Sequence, residues 1–302
     1  MLSIVDIQKE LGKGINLVPF RDKNIKENSI NLSASCYAWT MTNGEVLKNG
    51  GKWILSNDNK EEECAEENLK LVKGNSAVYE SNGKKEIILL PFSTTLIETE
   101  EVLGVENNIG GTYHSKVGLV SQGLGHIGTM LGPNFSGHSL IAIHNVSKEV
   151  LSIEVGETFV SLVLNYLNTP IRINNATRNG HLEKLSELGV RLSAKEREFL
   201  DADWKSNTTR VREKLKEDKN FREYKDTLQR KKYENVKKYI NKNNIIVSLA
   251  IIALLAAFYL LASIVDSKLD KPVWVDRFWT VGFSGIFIFV FNPVIKLMKP
   301  SQ

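Results

Sequence analysis

The sequence predicts a mainly β domain of barrel or jelly-roll type, then a charged α-helical linker, then a two-helix transmembrane hairpin. Three observations predict it. Between about residues 15 and 168, short runs rich in Val, Ile, Leu and Phe alternate with Gly, Asn, Ser and Pro. EIILLPF, HSLIAIHN, LSIEV and TFVSLVLNYL are such runs, and their length and spacing suit many short strands. After Pro170 the texture turns helical and becomes strongly basic. From residue 245 onward the chain holds two uncharged apolar runs.

A length of 302 residues suggests about two domains, and an apolar content of 42% supports a sizeable core. Charge is segregated: residues 1–204 carry a net −6, residues 205–244 a net +8 and the remainder +2. The basic character therefore belongs to one segment. Two cysteines, Cys36 and Cys64, are too few for a disulfide framework or a zinc site and fit a reduced compartment. The opening MLSIVDIQKELGKG lacks a basic stretch followed by an apolar one, so it does not read as a signal peptide.

Within the β region, residues 41–84 are polar and read as an insertion, with NDNKEEECAEEN as a solvated acidic loop. The β domain itself is placed at 1–169. The linker follows at 170–244. There HLEKLSELG ends in a Gly suited to a helix C-cap, and SAKEREFLDADW opens with a Ser–Glu capping box. From Thr208 to Asn244 a single long helix is expected, with Val211, Leu215, Phe221, Tyr224, Leu228, Val236 and Ile240 at roughly helical spacing. Its Lys and Arg suit anionic lipid headgroups. Proximity to a membrane span disfavours nucleic acid as the partner of that patch.

The hairpin occupies 245–298. Its first span, about 245–265, is long enough to cross the ~30 Å hydrocarbon core. The second, about 278–297, contains the uncharged run Phe278 to Ile295. Basic flanks before residue 245 and at Lys296 and Lys299 put both termini in the cytoplasm, with the short loop outside an inner or plasma membrane. Trp274 and Trp279 suit the outer interface. Ala250, Ala253, Ala256 and Ala257 give the first span a small-residue stripe on which another helix could approach. No Asp, Glu, Lys or Arg lies mid-span, which argues against a proton relay or transporter site.

Three stretches in order carry a resemblance. They are DIQKELGKGINLVPFRDKNIKENSINLSAS, LLPFSTTLIETEEVLG, and the long segment from GGTYHSKVGLVSQ through LGPNFSGHSLIAIHN to VGETFVSLVL. Together they resemble the core shared by dCTP deaminases and dUTPases over residues 4–167, the insertion excepted. That resemblance implies a distorted β-clip barrel, a trimer, and nucleotide sites between subunits. It implies ligand-binding roles for Thr112, Ser115, Lys116 and Gly118 of a phosphate loop, for Asn134, Phe135 and Gly137 of the Pro-x-aromatic-x-Gly turn, and for His144. Mg²⁺ would accompany a bound nucleoside triphosphate; no cofactor is otherwise required.

The departures from the pattern bear on catalysis. Ala142 stands where the deaminases carry their glutamate, and Gly132 where dUTPases carry their aspartate. Lys116 and Gly111 replace arginines, Thr112 and Tyr113 replace a serine pair, and Asn31 replaces an aspartate. A positioned general base contributes about 10²–10⁴-fold, and alanine supplies none of it. Glu154 and Glu157 lie further along, in a turn. No catalytic residue is therefore assigned, and the histidines form no metal pattern. The sequence thus reads as a membrane-anchored nucleotide-sensing effector with a non-catalytic domain, a design that suits bacterial antiviral defence. The alternative is a membrane-tethered dCTP deaminase or dUTPase that recruits its acid from the insertion or from another subunit.

Overall fold

In the computed structural model the described residues are 1–56, 66–81, 83–126, 128–171 and 181–239, with backbone alone for 235–239. Both expected spans, Cys64, Ile240 and most of the acidic run lie outside them. Among the described residues no helix is long and apolar enough to cross a membrane. The chain forms two compact units, Met1–Asp226 and Thr227–Gln302.

The first unit is mainly β, as the sequence predicts. Its opening helix α1 (Ile4–Glu10) starts at a capping box between Ser3 and Asp6. Strands follow as β1 (Ile15–Val18), β2 (Ile30–Thr40), β3 (Gly44–Asn49), β4 (Lys52–Leu55) and β5 (Glu67–Leu71). Next come β6 (Val78–Ser81), β7 (Lys84–Leu89), β8 (Ser93–Thr99), β9 (Val102–Val105) and β10 (Ile109–Ser115). A single turn of helix, α2 (Val117–Val120), leads to β11 (Leu124–Gly125), β12 (Met130–Leu131) and β13 (Ser136–Gly137). The last three strands are β14 (Leu140–Asn145), β15 (Leu151–Glu154) and β16 (Thr158–Tyr166).

Seven strands form the main sheet in the order β11-β14-β8-β2-β16-β10-β12. It curls until β11 near one edge reaches β10 near the other, where the His126 N–H donates to Ser115 Oγ at 2.9 Å. A bulge in β2 between Ala34 and Ala38 lets one long strand serve both β16 and β8. Ile30, Leu32, Ile97, Ile141, Ile143, Phe159 and Leu162 fill the interior. The polar segment 41–84 is built around a three-stranded antiparallel sheet, β4-β3-β5, with β3 at its centre, closed over its own small core of Val46, Trp53 and Leu71 with Ile88, Leu90 and Val150.

Four helices complete the described chain: α3 (His181–Glu187), α4 (Ala194–Asp201), α5 (Thr208–Glu217) and α6 (Lys219–Tyr239). The cap signals act as the sequence predicts. Gly189 takes φ +81° after α3, and Ser193 and Glu196 cap α4 reciprocally.

The single helix expected from Thr208 onward is instead two. Asp218 breaks it with ψ 124°. One carboxylate oxygen accepts from the Phe20 N–H at 3.0 Å and the other from the Phe221 N–H at 3.2 Å. Asp218 is thus an N-cap for α6 and a tie to the start of the chain. Neither α5 nor the start of α6 behaves as a free linker. Val211 and Leu215 are fully buried, and Phe221 packs edge-on to Phe20 at 5.4 Å. Burial of that kind stabilises by roughly 1.5–3 kcal/mol per side chain. The first compact unit accordingly runs well past the boundary at 169 expected from texture.

Candidate functional site

The expected phosphate loop runs from the end of β10 into α2. Thr112 Oγ1 and His114 Nε2 are 2.9 Å apart, and Ser115 holds the chain of β11 as described. Lys116, half-buried, donates from Nζ to Thr158 Oγ1 at 2.5 Å. Gly118 is exposed, and its carbonyl accepts from Ser121 and Gln122. Gly111 stands where a side chain has no room. A Cβ there would stand 2.6 Å from the Val163 carbonyl oxygen, in the tight β10–β16 ladder.

The 132–137 turn has a separate set of partners. Asn134 takes φ +61°, a left-handed conformation that Asn tolerates better than most residues. The Phe135 carbonyl accepts from the Val105 N–H at 3.0 Å. Gly137 pairs with Leu103, and Ser136 Oγ donates to the Lys205 carbonyl at 2.7 Å. Gly132 is exposed, with open space around it. His144 lies on β14 opposite Gly125, with Nδ1 2.9 Å from Thr94 Oγ1.

Strand β14 alternates between half-buried and buried residues, so Ile141, Ile143 and Asn145 face the core. Leu140, Ala142 and His144 share the opposite face. On β8 the same face carries Thr94, Leu96 and Glu98, since Glu98 pairs with Leu140 and Leu96 with Ala142. Helices α3 and α4 lie over it. Ala142, Leu140 and Leu96 join Trp39, Leu182, Leu185 and Phe199 in one apolar cluster. Trp39 Nε1 donates to Glu196 Oε1 at 2.8 Å and anchors the cover. The place that the resemblance gives to an acid is therefore apolar and roofed by helices of the same chain.

Beside it lies a group of ionisable residues, of which Glu98, His181 and Lys205 carry no signal in the sequence. Glu98 is fully buried and holds His181 Nδ1 at 3.0 Å, while its Oε2 has no hydrogen-bond partner. His138, 1% exposed, faces the Thr99 carbonyl with Nδ1 at 2.8 Å. A carbonyl only accepts, so Nδ1 carries the proton and Nε2 is a bare acceptor, also without a partner. Each such buried atom costs about 1–3 kcal/mol.

Burial holds the His138 pKa down to about 3, assisted by the Lys205 charge and opposed by the Thr99 hydrogen bond. Burial also pulls Lys205 down to about 8, against the attraction of Glu98. The Tyr113 phenol, 2.6 Å from Ser139 Oγ, is pushed up chiefly by burial. Local sequence gives no hint of this group, because Glu98, His138, His181 and Lys205 come from four distant segments. Two of its members, His138 and Lys205, line an open cleft of about 700 Å³ together with Tyr37, Glu100, Phe199 and Trp204 among others. Among the described residues no cluster of His, Cys, Asp and Glu could hold a metal ion.

No protein-family model matches the chain, and no curated protein matches it. Solved structures do. The EIAV dUTPase is 19% identical over 32% of this chain and 88% of its own length, with a TM-score of 0.26. A dUTPase from phage phi11 of S. aureus is 16% identical over 44% of this chain and 95% of its own, at 0.27. A 2′-deoxycytidine 5′-triphosphate deaminase from Agrobacterium tumefaciens is 9% identical over 62% of this chain, at 0.36. The match spans 53% of that deaminase, and in each case part of this chain is what is similar.

Proposed function

We propose that the chain is a membrane-anchored nucleotide sensor whose β domain binds a nucleotide without converting it. In this reading the domain forms a trimer, both termini are cytoplasmic, and ligand binding gates the hairpin, as a bacterial antiviral effector would. The observation that carries it is Ala142. It supplies no acid, and it packs under Leu182, Leu185 and Phe199 in an apolar cluster where a charged carboxylate would be costly. Lys116 and the backbone around Thr112 and Gly118 are the elements suited to an anionic ligand.

A second reading is favoured by Glu98. It lies on the same sheet face, diagonal to Ala142 across the β8–β14 ladder, and has one unpartnered oxygen. An enzyme could use that carboxylate in place of the missing one.

One experiment separates the two. The full-length protein in detergent is incubated with a nucleotide panel that includes dCTP and dUTP, with thermal shift and product formation both recorded. The sensor reading expects a shift without product, and loss of the shift with Lys116→Glu. Turnover at about 1 s⁻¹ or faster would overturn it. If Glu98→Gln then abolished that turnover, the second reading would stand.

A further inference from the structure

The outer face of the β2–β16–β10 ladder carries a polar row that leads to Lys116. Thr112 and His114 flank the core residue Tyr113 on β10, so they stand on the side away from the core, and Lys116 continues that side past the strand's end. His114 pairs with Ser161, and Ser161 with Asn31, both likewise between core residues. Ser161 Oγ donates to Asn31 Oδ1 at 2.7 Å, Thr112 Oγ1 meets His114 Nε2, and Lys116 Nζ donates to Thr158 Oγ1. Donors are left over. Lys116 uses one of its three N–H groups there, and among the described residues nothing accepts from Asn31 Nδ2. When Thr112 donates to Nε2, the exposed His114 ring presents Nδ1–H as well. Strand spacing sets Asn31 about 10 Å from His114 and Lys116 about 7 Å from it, room for a chain of phosphates rather than one.

No carboxylate stands in this row among the described residues. Glu101, behind Ser33, is fully buried and accepts from the Ser33 N–H and Oγ, Asn24 and Arg21. Glu157 adjoins Thr158 in the turn before β16, beyond Lys116 from His114. A Mg²⁺ ion that accompanies a triphosphate is held by one or two carboxylates as well as by the phosphates. These residues do not fit that ion. Asn31 stands in the aspartate's place with its oxygen taken by Ser161 and its N–H groups left to donate.

We propose that this row binds the phosphate chain of a nucleotide free of divalent metal, with Asn31 and His114 donating to it beside Lys116. The inference rests on the reading of the Lys116 loop as the anion site, and adds two ligand-binding residues and the ionic form of the ligand. The donors neutralise phosphate oxygens directly. Mg²⁺ on those oxygens would set a dication against the Lys116 ammonium, so metal and protein compete for the ligand.

The test is calorimetry of dCTP and dUTP on the full-length protein in detergent, first in EDTA and then in excess Mg²⁺. The parent is expected to bind at least one of them in EDTA, no more weakly than in Mg²⁺. Asn31→Asp keeps an acceptor for Ser161 but sets a carboxylate against phosphate. It should bind about tenfold or more weakly in EDTA, with Mg²⁺ restoring part of the loss. Asn31→Ala and His114→Ala should each lose about tenfold in EDTA, with no recovery in Mg²⁺. Thermal melts without ligand establish that each variant is folded.

A parent that binds either nucleotide only when Mg²⁺ is present would overturn the proposal. So would folded Asn31→Asp protein that binds in EDTA as tightly as the parent. Lys116→Glu keeps the two readings apart. If it abolishes a binding that requires Mg²⁺, the metal-free row fails and the loop assignment stands. If neither nucleotide binds under either condition, or Lys116→Glu binds as the parent does, the loop assignment fails and the row with it.

Discussion

At the residue scale, His138 makes the most definite statement, because its charge state follows from its surroundings. Its ring faces Thr99 through Nδ1 and packs on Phe199, with the Lys205 ammonium and His181 among the charges that bear on it. Glu98 faces the same region from β8. The folded-state pKa of about 3 lies below the ordinary 6.5. The unfolded chain therefore binds the extra proton between those values, and stability falls as pH drops through that window. The contribution is whole above about pH 6.5 and is progressively lost below it. Urea titrations across pH 7 to 4 should show His138→Phe losing less stability than the parent, by a slope close to one proton. Parallel slopes would mean that His138 does not titrate as its burial requires.

At the element scale, the break at Asp218 decides how the basic helices meet the β domain. Its two carboxylate oxygens cap α6 and hold Phe20, which sets Phe221 against the Phe20 ring. Asp218→Ala is expected to lower stability by about 1–2 kcal/mol, seen as a lower urea midpoint at an unchanged slope. Asp218→Asn should recover part of the loss, since an amide oxygen still accepts one of the two bonds. This element also separates what was legible from what was not. The Ser193–Glu196 box and the Gly189 stop were readable because their chemistry is complete within a few residues. The break was not readable, because one of Asp218's partners lies 198 residues away and the apolar spacing runs straight through it.

At the scale of the whole molecule, the sequence carried the β class, the strands of HSLIAIHN and TFVSLVLNY, and the absence of an acid at Ala142. It did not carry the helical roof over that strand. Leu182, Leu185 and Phe199 read as one side of a linker until the packing brings them over Leu96 and Ala142. Glu98 was hidden for the same reason: its significance lies in the register with Leu140, not in its neighbours along the chain. The proposed hairpin has its own test at this scale. Barrels that associate would gather several spans at high effective concentration. Vesicles containing the full chain should then leak dye when the ligand state permits. Ala253→Leu with Ala257→Leu should abolish leakage while preserving insertion, by blocking close helix approach. If an unrelated hairpin of equal length leaked as well, the segment would be only a tether.

The burial of Leu215 and Phe221 in the main core bears on how the protein is made. A chain emerges from the ribosome beginning with its N-terminal end, and domains fold as units when their last contributing residues appear. Here those residues stand shortly before the apolar stretch that opens at residue 245. While they are still inside the exit tunnel, synthesis has already reached that stretch. The β domain and the proposed first span would thus mature almost together, and targeting would begin on a chain whose largest folded part is still incomplete. Variants that delay closure of the core, at Asp218 or Phe221, would consequently be expected to impair delivery to the membrane as well as stability.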